Sequence, residues 1–228
     1  MADVELSRDG DVFVLQMRCG ENRFNPGFIK AVNDALDEVE SSKGAAALVT
    51  TGEGKFYSNG LDLDWLTTQE HAASMEFIGE VLALFARLVA FPMATCAAMN
   101  GHAFAGGAML TLAHDWRVMR NDRGYFCLPE IDLGMPLVLG MRTLIKEKLG
   151  ERVFRDAILT GGRFSAEDSL RLGIVDSIEP DAGVVPAAVE RLRPLAGKNR
   201  DACRVLKRGM YGELLADLSG PGAVSIPS

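Results

Sequence analysis

The stretch MATCAAMNGHAFAGGAML, residues 93–110, decides how this chain folds. Its first half, MATCAAMNG, is a continuous apolar run of strand length, as expected for a strand buried on both faces of a parallel sheet. Its second half, HAFAGGAML, reads as a loop entering a short buried helix through two adjacent glycines, Gly106 and Gly107. Each glycine weakens a helix by roughly 1 kcal/mol relative to alanine. Two reasons for the pair are open. The glycines let the helix pack close to a strand, or they let the backbone approach a ligand with an N–H group pointing at it.

A buried parallel strand needs neighbours, and the flanking sequence supplies them. VELSRDGDVFVLQM (4–17) sets Asp9-Gly10 between two β-type runs, a hairpin signal. NPGFIKAVNDALDEVE (25–40) begins with Asn25 as an N-cap and Pro26 in the first helical position, and it carries Ile29, Val32, Leu36 and Val39 on one face. AAALVTT (45–51) is a second buried strand, followed by the glycine-bearing loop GEGKFYSNGLDLDWL. Residues 70–90 form a helix through Met75, Ile78, Leu82, Phe85 and Val89, with Pro92 just beyond. DWRVMR is another strand, CLPEIDLGM a loop with an acid, and the chain from Arg142 onward is largely helical. This alternation predicts an α/β fold with parallel neighbours. The small, polar tail from about residue 219 is expected to fray.

The chain has 228 residues, 48% hydrophobic and 24% charged, enough for a sizeable core. Its net charge is −7 with no basic cluster, which argues against nucleic acid or an anionic membrane as partner. The four cysteines lie outside any CxxC pair and read as reduced thiols. The N-terminus lacks an apolar signal core, no stretch reaches the ~20 apolar residues of a membrane span, and Ile226-Pro227-Ser228 is not a peroxisomal tripeptide. A cytoplasmic protein without membrane insertion is therefore expected.

Several motifs are excluded. GEGKFY has Tyr57 where a dinucleotide loop needs its third glycine and Phe56 where a Walker loop needs Ser or Thr. KFYSNG is not a nucleophile elbow. The three histidines, His71, His102 and His114, have no zinc-protease spacing. No metal site is expected.

The two glycine-bearing loops, FYSNGLD and FAGGAM, both follow buried strands, whose ends reach one side of a sheet. One N–H from each, converging on a single oxygen, would make an oxyanion hole. LPEIDLG adds Glu130 among apolar neighbours, where a raised pKa would suit a base that becomes an acid near neutral pH. The alternative is an exposed loop glutamate.

Together, FYSNGLDLDWL (56–66), MNGHAFAGGAML (99–110), LPEIDLGMPLVLGMRTLI (128–145) and GGRFSAEDSLRLGIVDSI (161–178) resemble the crotonase superfamily, the enoyl-CoA hydratase/isomerase family. The resemblance runs over nearly the whole chain. It implies a spiral of ββα units with the active site in residues 1–165, and a helical C-terminal region, 166–228, that makes trimers or hexamers. It implies an acyl-CoA thioester substrate, with coenzyme A entering only as part of that substrate and no other cofactor. The carbonyl oxygen would lie between the backbone N–H groups of Leu61 and Gly106. Substrate and CoA contacts would come from Arg23, Phe24, Ser58, Gly60, Asp62, Trp65, Gly107 and Met109. Asp62 is also a helix cap by type, Trp65 a packing residue, and His102 a loop hydrogen-bonder. Lys198 or Lys207 would reach a CoA phosphate.

Hydratase-like members of this family carry two glutamates, and here the first falls on Met109. A thioether is a weak acceptor and no base. The remaining carboxylate, Glu130, suffices for a 1,3-proton shift, which is similar to the single-glutamate Δ3-Δ2-enoyl-CoA isomerases of the family. The alternatives are another acyl-CoA reaction on this scaffold, namely hydration, hydrolysis or decarboxylation, or an idle acyl-CoA-binding protein.

Overall fold

The computed structural model describes residues 4–226. Strands β1 (Val4–Asp9) and β2 (Val12–Met17) form the expected hairpin, pairing from Val4 opposite Met17 to Asp9 opposite Val12. After β3 (Arg23–Phe24), helix α1 (Pro26–Ser41) begins as its sequence requires. The Asn25 side chain accepts from the Phe28 amide, and Ile29, Val32, Leu36 and Val39 are buried. Next come β4 (Ala47–Thr51), β5 (Phe56–Ser58), β6 (Gly60–Leu61), the one-turn α2 (Leu63–Leu66) and the long α3 (His71–Val89). The opening stretch becomes β7 (Thr95–Met99), β8 (His102–Phe104) and α4 (Gly106–Leu112). Then follow β9 (Trp116–Arg120), β10 (Phe126–Cys127), the one-turn α5 (Glu130–Leu133) and α6 (Leu139–Thr160).

These elements repeat one move. Strands β4, β7 and β9 lie side by side, parallel, in a large sheet; β5, β8 and β10 lie side by side, parallel, in a smaller one. Each turn of chain lays one strand in each sheet and steps over by one strand, so the ββα units wind into a spiral. The short strands β5, β8 and β10 read as loops in the sequence because two or three residues carry no measurable alternation.

Alternating residues of the large sheet feed two cores. Leu48, Ala97, Met99 and Met119 join Leu36, Leu82 and Phe85 of α1 and α3 on one face. Val12, Ala47, Val49, Cys96, Ala98 and Val118 fill the other. That second face explains the continuous apolar runs at 45–51 and 93–99: both sides of these strands are covered.

The cover comes from the C-terminal third: β11 (Arg163–Phe164), α7 (Ala166–Arg171), β12 (Ser177–Glu179), α8 (Asp181–Leu192), α9 (Arg200–Met210) and α10 (Gly212–Ser219). Helix α8 lays Val184, Ala188, Val189 and Leu192 on the second face, and β12 extends the large sheet beside β9. Helix α10 packs on α3 and α6. Residues beyond 165 thus add one strand and four helices to the fold, and α8 and α10 supply buried side chains to its cores. The tail departs from expectation: the amides of Leu139 and Gly140 donate to the carbonyls of Ser225 and Ala223, and Ala223 is buried. Helix α6 breaks at Gly150, φ 71°, where the sequence shows two apolar periods separated by that glycine.

Candidate active site

The two glycine loops meet. Ala105, between β8 and α4, holds φ 49° and ψ −123°, a conformation costing a residue with a Cβ of order 1–3 kcal/mol. Gly60 also has positive φ, and a Cβ there would lie 2.7 Å from the Gly106 nitrogen and 3.0 Å from the Phe104 carbonyl oxygen. Only glycine permits that approach. The two glycines of the pair have different surroundings. Gly107 packs: its Cβ would fall 2.1 Å from the Ser58 carbonyl oxygen. Gly106 lines a cavity, and as the first residue of α4 its N–H has no partner within the helix.

The cavity has a volume of about 450 Å³ and is bounded by β6, α3, α4, α5 and the start of α6. Of the residues singled out from sequence, Arg23, Leu61, Gly106, Met109 and Glu130 line it. Met109 is 1% exposed and gives the α4 wall an apolar surface. Ile78, Phe104, Cys127 and Met141 line it as well.

Glu130 sits in the first turn of α5, not in a loop, and is 8% exposed. It is the one buried carboxylate among the described residues. Its Oε2 has no hydrogen-bond partner among them. Burial pushes its pKa up to about 7, opposed by a hydrogen bond from its own backbone amide. A carboxyl group in this state can take a proton and return it near neutral pH.

The charges around the mouth are unequally matched. Arg23 donates to Glu21 and Asp64, both at 2.7 Å, and faces Asp62 at 3.8 Å. Arg163 lines the cavity beside the Phe104 ring, 5.7 Å from its centroid, and forms no ion pair among the described residues. Asp132 also lines the cavity but is exposed. Among the described residues no group of three His, Cys, Asp or Glu is placed to hold a metal ion.

Other residues singled out from sequence lie elsewhere. Phe24, Ser58 and Gly107 are buried behind the cavity wall: Phe24 stacks on Phe28 and the Ser58 hydroxyl donates to the Asn22 carbonyl. Gly60 holds the turn. Asp62 caps α2 by accepting from the Trp65 amide, and Trp65 packs edge-on against Phe77. These six shape the site from behind or beside it rather than line the cavity. Lys207 is buried, with Nζ on the Met93 carbonyl and the Asp115 carboxylate at 2.8 and 2.6 Å, so it has no reach to a phosphate. Lys198 borders a separate hollow beside α9. His102 lies among Phe56, Phe104 and Tyr125, outside the cavity lining. Ile78 escaped the sequence reading because its helical spacing marks a core face, and that face ends at the cavity. Arg163 stands within GGRF but carries no local signal of its own.

Comparison with known proteins adds an independent line. A family model described as enoyl-CoA hydratase/isomerase matches residues 9–218. Enoyl-CoA delta isomerase 3 of Arabidopsis thaliana is 37% identical over a 219-residue alignment that covers 92% of each chain. A probable enoyl-CoA hydratase from Mycobacterium tuberculosis superposes with a TM-score of 0.89 at 28% identity, over 96% of this chain and 92% of that one. Human mitochondrial delta3-delta2-enoyl-CoA isomerase has the same fold, with a TM-score of 0.88 at 23% identity, over 95% and 86% of the two chains.

Proposed function

The chain belongs to the enoyl-CoA hydratase/isomerase family, and from that premise we propose that it is an enoyl-CoA isomerase converting 3-enoyl-CoA to trans-2-enoyl-CoA. Glu130 removes a proton from C2 of the bound thioester. The electrons move into a dienolate, whose oxygen takes hydrogen bonds from the Leu61 and Gly106 amides. The protonated Glu130 then delivers the proton to C4, and the double bond comes to rest between C2 and C3. One carboxyl group thus serves as base and acid in turn.

The observation that carries this reading is the pairing of Glu130 with Met109. The one buried carboxylate among the described residues borders the cavity with one oxygen unpartnered, while the α4 wall offers a buried thioether. Hydration needs a group to orient water as well as one to manage the proton, and Met109 supplies neither. Its apolar surface instead keeps water from the intermediate. Asp132 and Asp64, the other carboxylates at the cavity, are exposed. The CoA moiety lies along residues 59–64 and Arg23, with Arg163, which forms no ion pair among the described residues, placed to meet a phosphate.

Self-association completes the proposal. Helix α9 leaves Ala202, Val205, Leu206 and Met210 exposed on one face at helical spacing. A stripe of this kind fits contact with further copies in a trimer or hexamer.

Incubation with 3-hexenoyl-CoA in D₂O, followed by mass and NMR analysis, tests the reaction. The expected product is trans-2-hexenoyl-CoA. Glu130→Gln should lower kcat by roughly 10²-fold or more with little change in KM. Hydration of crotonyl-CoA at a comparable rate, or an unaffected Glu130→Gln, would defeat the reading. Acyl-CoA binding without turnover would favour an idle binder.

A further inference from the structure

His114 lies outside the cavity and is completely buried just past the end of α4. Its ring joins a chain of four groups. Tyr57 Oη is 2.7 Å from Thr50 Oγ1, Thr50 Oγ1 is 2.9 Å from His114 Nε2, and His114 Nδ1 is 2.9 Å from the Leu110 carbonyl oxygen.

The chemistry fixes the direction of this chain. A carbonyl only accepts, so Nδ1 carries the proton and donates to Leu110. A neutral imidazole then has Nε2 as acceptor, which the Thr50 hydroxyl must fill. Thr50 in turn accepts from Tyr57. Burial holds the ring neutral, with its pKa lowered to about 4.

Two of the four groups stand on the segments that lead to the two backbone amides. Leu110 is on α4, whose first residue is Gly106. Tyr57 is on β5, three residues before Gly60 and four before Leu61. Thr50, on β4, joins them. Leu110 lies in the last turn of α4, where carbonyls lack helical partners, and the His114 amide turns back to Thr111. The imidazole therefore caps α4 and ties it to Thr50 on β4, and through that hydroxyl to Tyr57 on β5.

We propose that His114 is a positioning residue: bridging Leu110 and Thr50, it sets the axial position of α4, and so of the Gly106 amide, against the strand leading to Leu61. The proposal rests on the isomerase reading for its kinetic consequence, because amides aimed at a developing oxyanion must hold their geometry to well under about 1 Å.

Two substitutions split the bridge. His114→Asn puts an amide nitrogen near the Nδ1 position, keeping the bond to Leu110 but losing Thr50. His114→Gln reaches toward Thr50 but loses Leu110. Thr50→Val cuts the same link from the strand side without altering shape. Variants that stay folded should lose about tenfold or more in kcat, with KM within about threefold. The Gly106 amide resonance should shift in each. In the wild type, the imidazole ¹⁵N signals should report the neutral Nδ1–H tautomer from about pH 5.5 to 8.

Folded variants with kcat within about twofold of wild type, or with kcat and KM changed in parallel, would overturn the proposal. So would an unmoved Gly106 resonance or an Nε2–H tautomer. If no variant folds, the wild-type tautomer decides. Should the wild type show no isomerase activity, the functional reading fails alone, and the Gly106 resonance and the tautomer still judge His114.

Discussion

Gly107 is backed directly onto Ser58: a Cβ atom on the glycine would lie 2.1 Å from the Ser58 carbonyl oxygen. Neither partner can yield, because one is a helix backbone and the other a strand. At Gly106 the first obstacle is the edge of the Phe24 ring at 3.0 Å, a side chain able to shift by tenths of an ångström. Gly107→Ala should therefore cost about 3 kcal/mol or more and yield little folded protein. Gly106→Ala keeps its N–H group and should cost ~1 kcal/mol while retaining activity within about tenfold. Urea unfolding and the isomerase assay on both variants check this, and equal behaviour of the two would contradict the division of labour between the glycines.

Glu130 must be ionised to act as a base, and burial places its pKa at about 7. The value of kcat/KM should therefore fall about tenfold per pH unit below 7 and level off above it. Met109→Glu would add a second buried carboxylate to the same cavity. Like charges oppose ionisation, so the midpoint of the profile should move to higher pH and isomerisation at pH 7 should slow. A midpoint left in place would mean that Met109 does not share a site with Glu130.

The same burial has a consequence for stability. In the folded state Glu130 titrates near 7, against its ordinary 4.5. Below about pH 4.5 both folded and unfolded chains hold the proton, and nothing is lost. Between the two values the unfolded chain gives up its proton first, so folding weakens as pH rises, and above about 7 the cost is constant at up to about 3 kcal/mol. Glu130→Gln removes this dependence. The variant should match the wild type at low pH and exceed it in stability at pH 8, a gap that urea unfolding from pH 5 to 8 would trace. A gap that closes with rising pH would contradict the burial of an open carboxylate at this position.

Much of this was legible in the sequence wherever a pattern was long or a residue type was forced. Asn25-Pro26 starts α1, Gly150 breaks α6, and the continuous apolar runs at 45–51 and 93–99 report burial on both faces. Leu61, Gly106, Met109 and Glu130 were nameable because the strand ends and the acid stand in motifs. What stayed hidden depends on contacts far apart in the chain. Nothing local says that α8 covers the second face of the sheet, that Lys207 turns inward to Asp115, or that the Ile78 face of α3 ends at a cavity. Ser58 stands within FYSNGLDLDWL and Phe24 next to Arg23, yet both point away from the cavity, because a strand sends alternate side chains to opposite faces.

Helix α9 provides the last test. Val205, Leu206 and Met210 are 69%, 65% and 66% exposed, while Lys207 is buried with its ammonium group on the Met93 carbonyl and the Asp115 carboxylate. Lys207 is the one buried residue of the helix, so Val205, Leu206 and Met210 stay in water instead of facing the core. Covering each large side chain would yield up to roughly 1.5–3 kcal/mol toward contact between copies. Leu206→Glu should leave the folded chain intact, because Leu206 is mostly solvent-facing there. It should nonetheless shift the particle measured by light scattering toward the 24.6 kDa of a single chain. A wild type already at that mass, or a variant that stays assembled, would rule out this face as the contact.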